Sequence, residues 1–198
     1  AGDSIPYRFP EFLAALVSPI TSVNKGIGGQ TSIMISARQG GWPLLLSVTD
    51  NTIPASGAVT VTAYSTDIFN SSGTPLTAGS HVGTLAGIAG TYTSDGSGGL
   101  TFTRTTAGTA TVIQKYSPFI PDAGSTNRNK INFICIGTNN AGTDNITGAV
   151  GSTYDNVGYA KAMFDYVLTG GGLPVVAGVI DNNPTTTANT VDCVALNN

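Results

Sequence analysis

The chain has 198 residues, enough for one sizeable domain, and its net charge is −3. Charged residues make up only 10% of it and form no Lys/Arg cluster, which argues against nucleic-acid binding through phosphate neutralisation. Apolar residues make up 40%, yet no apolar run reaches the roughly 18 residues of a membrane span. We therefore expect no nucleic-acid and no membrane partner. Gly, Ser, Thr and Asn replace the missing charges, as in β-rich extracellular or virion-surface proteins.

The first predicted elements are two short helices on either side of a glycine-rich segment. Residues 10–18 carry an apolar stripe behind Pro10 and predict one helix. Residues 31–39 predict a second helix, which Thr31 or Ser32 can cap. Gly29 would then lie just ahead of a helix N-terminus, where backbone N–H groups lack intrahelical partners and can face an anion.

The pattern changes to short strands from about residue 43 to residue 128. Residues 59–64, 100–104 and 109–113 alternate polar and apolar side chains, as half-buried strands do. Turn clusters rich in Gly and Ser separate these segments. The sequence therefore predicts an inserted, mostly antiparallel β module.

A strand, a helix and a second strand follow this module. Residues 131–136 predict a buried strand that leads directly into Gly137, and residues 156–168 predict an amphipathic helix that Gly170 ends. Residues 175–180 predict another apolar strand. This order indicates a parallel βαβ unit. The predicted apolar face of the helix comprises Val157, Ala160, Phe164, Val167 and Leu168.

Three short motifs carry a family resemblance. They are Gly2-Asp3-Ser4, Gly28-Gly29-Gln30-Thr31-Ser32 and Gly137-Thr138-Asn139-Asn140. In this order they resemble the first three blocks of the SGNH (GDSL-type) hydrolases. The glycine-rich segment and the Thr/Gly-rich insertion also resemble SGNH proteins of phage tail fibres and tailspikes.

The resemblance implies a fold class and a domain organisation. The fold would be α/β, a flavodoxin-like three-layer α/β/α sandwich with a large inserted antiparallel β module. Residues 1–42 would hold the nucleophile turn and the glycine loop, and residues 43–128 the inserted module. Residues 129–198 would hold the Gly-x-Asn block, without the family's C-terminal Asp-x-x-His block.

The resemblance also implies the roles of three residues. Ser4 would be the nucleophile, and its backbone N–H, the Gly29 N–H and the Asn139 side chain would hold the oxyanion. A serine hydroxyl needs a base within hydrogen-bond reach, and one preorganised oxyanion donor is worth about 10²–10³ in rate. The implied activity is that of a carboxylic ester hydrolase of the carbohydrate O-acetylesterase kind, with no cofactor and no metal.

The chain departs from the family at two places. Asn140 stands where the family usually has Asp, and the Asp-x-x-His block that supplies the base is missing. The single histidine, His81, lies in the β module, and we interpret it as an exposed loop or strand-edge residue. Three explanations stay open. The chain is a fragment whose base lies elsewhere, it is a degenerate esterase kept as a binding module, or the base is rearranged, as with His81 or a neighbouring subunit.

Two further side chains are candidate substrate contacts. Trp42 can stack on a sugar ring, although packing between the sandwich and the inserted module explains it equally well. Arg38 can face a substrate carboxylate, whereas a solvated helix position is the simpler interpretation.

The substrate and location follow from the resemblance alone. The implied substrate is a bacterial surface polysaccharide, deacetylated by a phage tail fibre or tailspike in the virion tail. The implied partners are copies of the chain, as a homotrimer, or other virion tail proteins. Two alternatives stay open: a non-catalytic glycan-binding or structural tail protein, and a secreted bacterial enzyme.

Overall fold

The computed structural model describes residues 23–139 and 156–176. A short helix, α1 (Ser32–Gln39), precedes a closed barrel of six strands. The barrel strands are β1 (Leu44–Val48), β3 (Ala58–Tyr64), β4 (Gly79–Leu85), β5 (Ile88–Ser94), β6 (Leu100–Arg104) and β8 (Ser117–Pro121). Two short strands, β2 (Thr52–Ile53) and β7 (Thr111–Val112), pair with each other outside the barrel. A 3₁₀ turn (Thr49–Asn51) follows β1, and a single helical turn, α2 (Asp122–Ser125), follows β8.

The barrel strands lie in the order β1-β3-β6-β5-β4-β8, and β8 closes the sheet by pairing with β1. Every neighbouring pair is antiparallel. Closure gives each strand two hydrogen-bonded neighbours, so the barrel exposes no open edge on which another chain could pair.

Alternating burial explains why these segments form a barrel. In β8, Ser117, Phe119 and Pro121 are buried while Pro118 and Ile120 are exposed. This period of two sends one face of each strand inward. Aromatic rings fill the interior in edge-on contacts, with ring centroids of Tyr92 and Phe119 5.7 Å apart. The buried barrel core also includes Leu44, Leu46, Val48, Val61, Leu85, Leu100 and Phe102.

The predicted flavodoxin-like α/β/α sandwich is wrong. The described chain is mostly antiparallel β structure built around the barrel, with only 21% helix. A sandwich of that kind needs several consecutive parallel crossovers with helices on both faces of one sheet. Most strands here are instead joined by short turns rich in Gly and Ser, which produce antiparallel neighbours. The domain boundaries at residues 42 and 128 stay a prediction.

A smaller unit follows the barrel. It consists of β9 (Ile131–Ile134), α3 (Asn156–Thr169) and β10 (Leu173–Val176), and the two strands pair in parallel register. The predicted parallel βαβ pairing is thus confirmed for these residues, with β10 beginning at Leu173. β9 is less buried than predicted, because Ile131 is 56% and Phe133 39% exposed.

A second core joins this unit to α1. Ile35 of α1 packs with Ile134, Tyr159 and Met163, and all four side chains are fully buried. The predicted apolar face of α3 is therefore wrong at several positions. The buried residues are Asn156, Tyr159, Met163 and Val167, whereas Val157, Phe164 and Leu168 are exposed.

The remaining elements agree with their predictions to different degrees. The predicted helix over residues 31–39 is confirmed as α1, and the strands over residues 59–64 and 100–104 are confirmed as β3 and β6. Residues 109–113 form only the two-residue strand β7. The predicted helix over residues 10–18 lies outside the described residues. None of the helices found in residues 23–139 and 156–176 combines the length and the apolar composition needed to cross a bilayer.

Candidate functional site

Gly29 lies in the turn before α1 in a left-handed backbone conformation. Its φ is +77°, and a Cβ atom added there would come within 2.6 Å of the Ser72 Cα. The turn containing Ser72 packs directly onto this loop, since the Ser72 N–H donates to the Gly28 carbonyl at 2.6 Å. A side chain at residue 29 is therefore disfavoured both by the backbone angle and by the neighbouring chain.

Asn139 reaches the same loop from the end of the β9 segment. Its Nδ2 donates a hydrogen bond of 2.9 Å to the backbone carbonyl of Gln30, which is the residue after Gly29. The structure therefore brings together two of the three residues that the sequence places in an oxyanion hole. Ser4, the predicted nucleophile, and Asn140 lie outside the described residues, and the role of Ser4 stays a prediction.

Two helices begin at this segment. The Ser32 hydroxyl, at the first residue of α1, donates at 2.6 Å to Oδ1 of Asn156, the first residue of α3. Both side chains are buried. This hydrogen bond joins the first residues of the two helices next to the segment that Asn139 contacts. Thr31 is the N-cap of α1, as predicted, but its hydroxyl makes no capping hydrogen bond.

The Gln30 side chain fixes this segment to the barrel. It is 1% exposed, and its Nε2 donates to the carbonyls of Ile68 and Asn70 at 3.0 and 3.1 Å. Its Oε1 accepts a hydrogen bond of 2.9 Å from Nε of Arg38. These hydrogen bonds fix the position of Gln30, whose backbone carbonyl accepts the hydrogen bond from Asn139. Sequence reasoning missed this residue, although its position inside the glycine-rich motif was the available signal.

Arg38 is buried rather than solvated. Its side chain is 6% exposed, and its Nη1 donates to the Lys25 carbonyl at 2.7 Å. Burial lowers the pKa of Arg38 to about 10, so the guanidinium is still charged at neutral pH. Arg38 borders a cavity of about 400 Å³ that is also lined by Lys25, Ser80, His81 and Asp122.

His81 lies in β4, between β5 and β8, and is partly buried, so its interpretation as an exposed residue is wrong. Its ring is 5.0 Å from the ring of Phe69, centroid to centroid. Burial, with the nearby charge of Arg38, lowers the pKa of His81 to about 4. The imidazole is therefore neutral at pH 7, but it is a weak proton acceptor.

Trp42 packs against helix α3. Its ring meets the ring of Tyr159 edge to face, with centroids 4.9 Å apart and an interplanar angle of 88°. Trp42 also borders a smaller groove of about 220 Å³, together with Pro118 and Ile120. Packing against Tyr159 explains the position of the indole ring, and its stacking on a sugar in the groove stays a prediction.

The described residues contain no group of three or more His, Cys, Asp or Glu side chains placed to hold a metal ion. Comparison of the chain with protein-family models, with curated proteins and with solved structures gives no match.

Proposed function

We propose that this protein is a serine ester hydrolase of the SGNH type that removes acetyl groups from a bacterial surface polysaccharide, as part of a phage tail fibre or tailspike. The observation that carries the proposal is the hydrogen bond between Asn139 and the Gln30 carbonyl, which joins residues 109 positions apart. It joins Asn139 to the residue that follows Gly29, and this supports the proposal because an oxyanion hole needs two or more donors within one small region.

The proposed reaction follows from these donors. The Ser4 hydroxyl attacks the acetyl carbonyl carbon and gives its proton to a base. The resulting oxyanion is held by the N–H groups of Ser4 and Gly29 and by the Asn139 amide. Its collapse releases the sugar hydroxyl, which regains a proton, and leaves an acetyl group on Ser4. Water then hydrolyses this ester to acetate.

Hydrolysis of p-nitrophenyl acetate tests the nucleophile. We expect Ser4→Ala to lower the rate to the uncatalysed background. The control is Ser56→Ala, because Ser56 is exposed on a barrel turn. We expect this variant to keep the wild-type rate. An unchanged rate in Ser4→Ala would show that Ser4 is not the nucleophile.

A specific observation favours a second candidate, a non-catalytic glycan-binding module. The only histidine of the chain has its pKa lowered to about 4 by burial, which makes it a poor general base at neutral pH. NMR spectroscopy of an acetylated bacterial polysaccharide incubated with the protein separates the two candidates. Released acetate supports the esterase, whereas line broadening of the glycan signals without acetate supports the binding module.

A further inference from the structure

Arg38 carries a buried charge whose hydrogen-bonding capacity is only partly used. Nε donates to the side chain of Gln30 and Nη1 donates to the carbonyl of Lys25. Nη2 is buried and has no hydrogen-bond partner. A guanidinium has five N–H donors, so three of them are left for another acceptor.

No carboxylate forms an ion pair with Arg38 in the described residues. The ion pair found within residues 23–139 and 156–176 is the exposed Lys161–Asp165 pair on α3. A buried cation without a counter-charge costs several kcal/mol unless a charged ligand or a hydrogen-bonding network offsets it. The two neutral acceptors that Arg38 contacts satisfy part of the donors and none of the charge.

The cavity beside Arg38 has the size and the charge to accept an anion. Its volume of about 400 Å³ lies within the range of roughly 300–1,000 Å³ typical of small-molecule sites. Within residues 23–139 and 156–176, the charged side chains that line it are those of Arg38, Lys25 and Asp122, while His81 is neutral at pH 7. Two cations and one carboxylate leave a single net positive charge, which one negative charge on a ligand would balance.

We propose that this cavity binds the carboxylate of an acidic sugar, with the charged guanidinium group of Arg38 as its main partner. A carboxylate brings one negative charge, which matches the cavity, whereas a phosphate dianion would exceed it. The lining mixes the Ser80 hydroxyl with the apolar side chains of Ile27 and Val82, as the polar and apolar faces of a sugar ring require.

Binding of an acidic sugar in this cavity does not require catalysis by Ser4. The segment 24–27 that lines the cavity leads directly into Gly28 and Gly29, so the cavity and the glycine loop share one continuous stretch of chain. The extension that an acidic glycan is the substrate of the esterase rests on the proposed function, but binding itself does not. The binding experiment therefore uses the chain with Ser4→Ala, in which ester hydrolysis cannot alter the ligand.

Titration of this chain, labelled with ¹⁵N-arginine, tests the proposal at pH 7 and constant ionic strength. The probes are D-glucuronate, D-glucose as its neutral counterpart, and inorganic phosphate. We expect glucuronate to shift the Arg38 side-chain resonances saturably and to bind at least about tenfold more tightly than glucose or phosphate. Arg38→Gln should weaken glucuronate binding by about tenfold or more.

Arg104→Gln is the matched control. Arg104 also donates to backbone carbonyls, those of Pro54, Thr106 and Thr109, but it does not line this cavity. We expect it to leave the affinity unchanged. If Arg38→Gln does not fold, Lys25→Ala at an exposed position should still weaken binding two- to fivefold, about the effect of one partly screened charge.

Three results would overturn the proposal. One is the absence of glucuronate binding at millimolar concentrations. Another is tighter binding of phosphate than of glucuronate, which would assign a phosphate site. The third is an equal loss of affinity in Arg38→Gln and Arg104→Gln, which would place the bound sugar elsewhere.

Discussion

The side-chain amide of Asn139 donates to the backbone carbonyl of Gln30 at 2.9 Å. An asparagine amide has two N–H donors, so this bond uses one and fixes the direction of the other. Because Asn139 is exposed, its second N–H is the donor that the proposed oxyanion hole would use. The hydrogen bond to Gln30 therefore orients the Asn139 amide and leaves one of its two N–H groups available.

Replacement of Asn139 tests this orientation. We expect Asn139→Ala to lower the rate of p-nitrophenyl acetate hydrolysis by about 10²–10³, the loss typical of one oxyanion donor. Its free energy of unfolding should change by about 1 kcal/mol or less, since an exposed hydrogen bond contributes little. Thr138→Ala, in the same loop, should keep the wild-type rate. Ser4-dependent activity that survives Asn139→Ala within threefold would remove Asn139 from the oxyanion hole.

A pair of glycine substitutions separates backbone strain from steric overlap at the loop. Gly29 and Gly57 have nearly the same φ, +77° and +81°, but only Gly57 has open space where a Cβ would lie. We expect Gly57→Ala to lower the free energy of unfolding by about 1 kcal/mol. Gly29→Ala should cost clearly more, because the Ser72–Gly73 turn must also move. Equal losses in urea denaturation would mean that the loop tolerates this displacement.

The sequence predicted the local elements of this fold better than their assembly. Alternation over residues 100–104 identified β6, because side chains of a half-buried strand reveal their own period. Whether such strands close into a barrel depends on pairings such as β8 with β1, which join residues about 70 positions apart. The alternation of side chains within one strand does not indicate which distant strand it pairs with. The predicted α/β/α sandwich rests on three short motifs, and such motifs indicate which residues form a site but not how the strands of a sheet are arranged.

For the candidate site, too, the sequence predicted some of the residues but not the contacts that assemble them. The motifs pointed to Gly29 and Asn139, and the structure brings their segments together. The burial of Arg38 could not be predicted from its helix, because the two acceptors it contacts, the Gln30 side chain and the Lys25 carbonyl, come next to it only after folding. The partly buried position of His81 likewise depends on contacts made by folding, with Tyr92 across the strand pair and with the ring of Phe69.

Gln30 should contribute strongly to stability. Gln30→Met keeps most of the side-chain volume but leaves the carbonyls of Ile68 and Asn70 and the Nε of Arg38 without their partner. Each buried group left unsatisfied costs about 1–3 kcal/mol, so we expect a loss of about 3 kcal/mol or more. Urea denaturation measures it, with Gln114→Met at an exposed position as the control. A loss below 1 kcal/mol would show that water replaces these hydrogen bonds.

His81 should make stability depend on pH. Its pKa is lowered from 6.5 to about 4 in the folded protein, first by burial and then by the charge of Arg38. Lys25 adds positive charge to the same cavity, and Asp122 opposes it. Between these two pKa values the unfolded chain binds a proton that the folded protein does not. The free energy of unfolding is therefore highest above pH 6.5 and falls as the pH drops towards 4.

Urea denaturation of the wild type and of His81→Gln at pH 7.0 and pH 4.5 measures this contribution. We expect the wild type to lose about 2 to 3 kcal/mol more than the variant between the two pH values, since one pKa unit corresponds to about 1.4 kcal/mol. Carboxylates that titrate in the same range affect both proteins equally, so the difference isolates the histidine. Equal losses in the two proteins would mean that the pKa of His81 is not lowered in the folded protein.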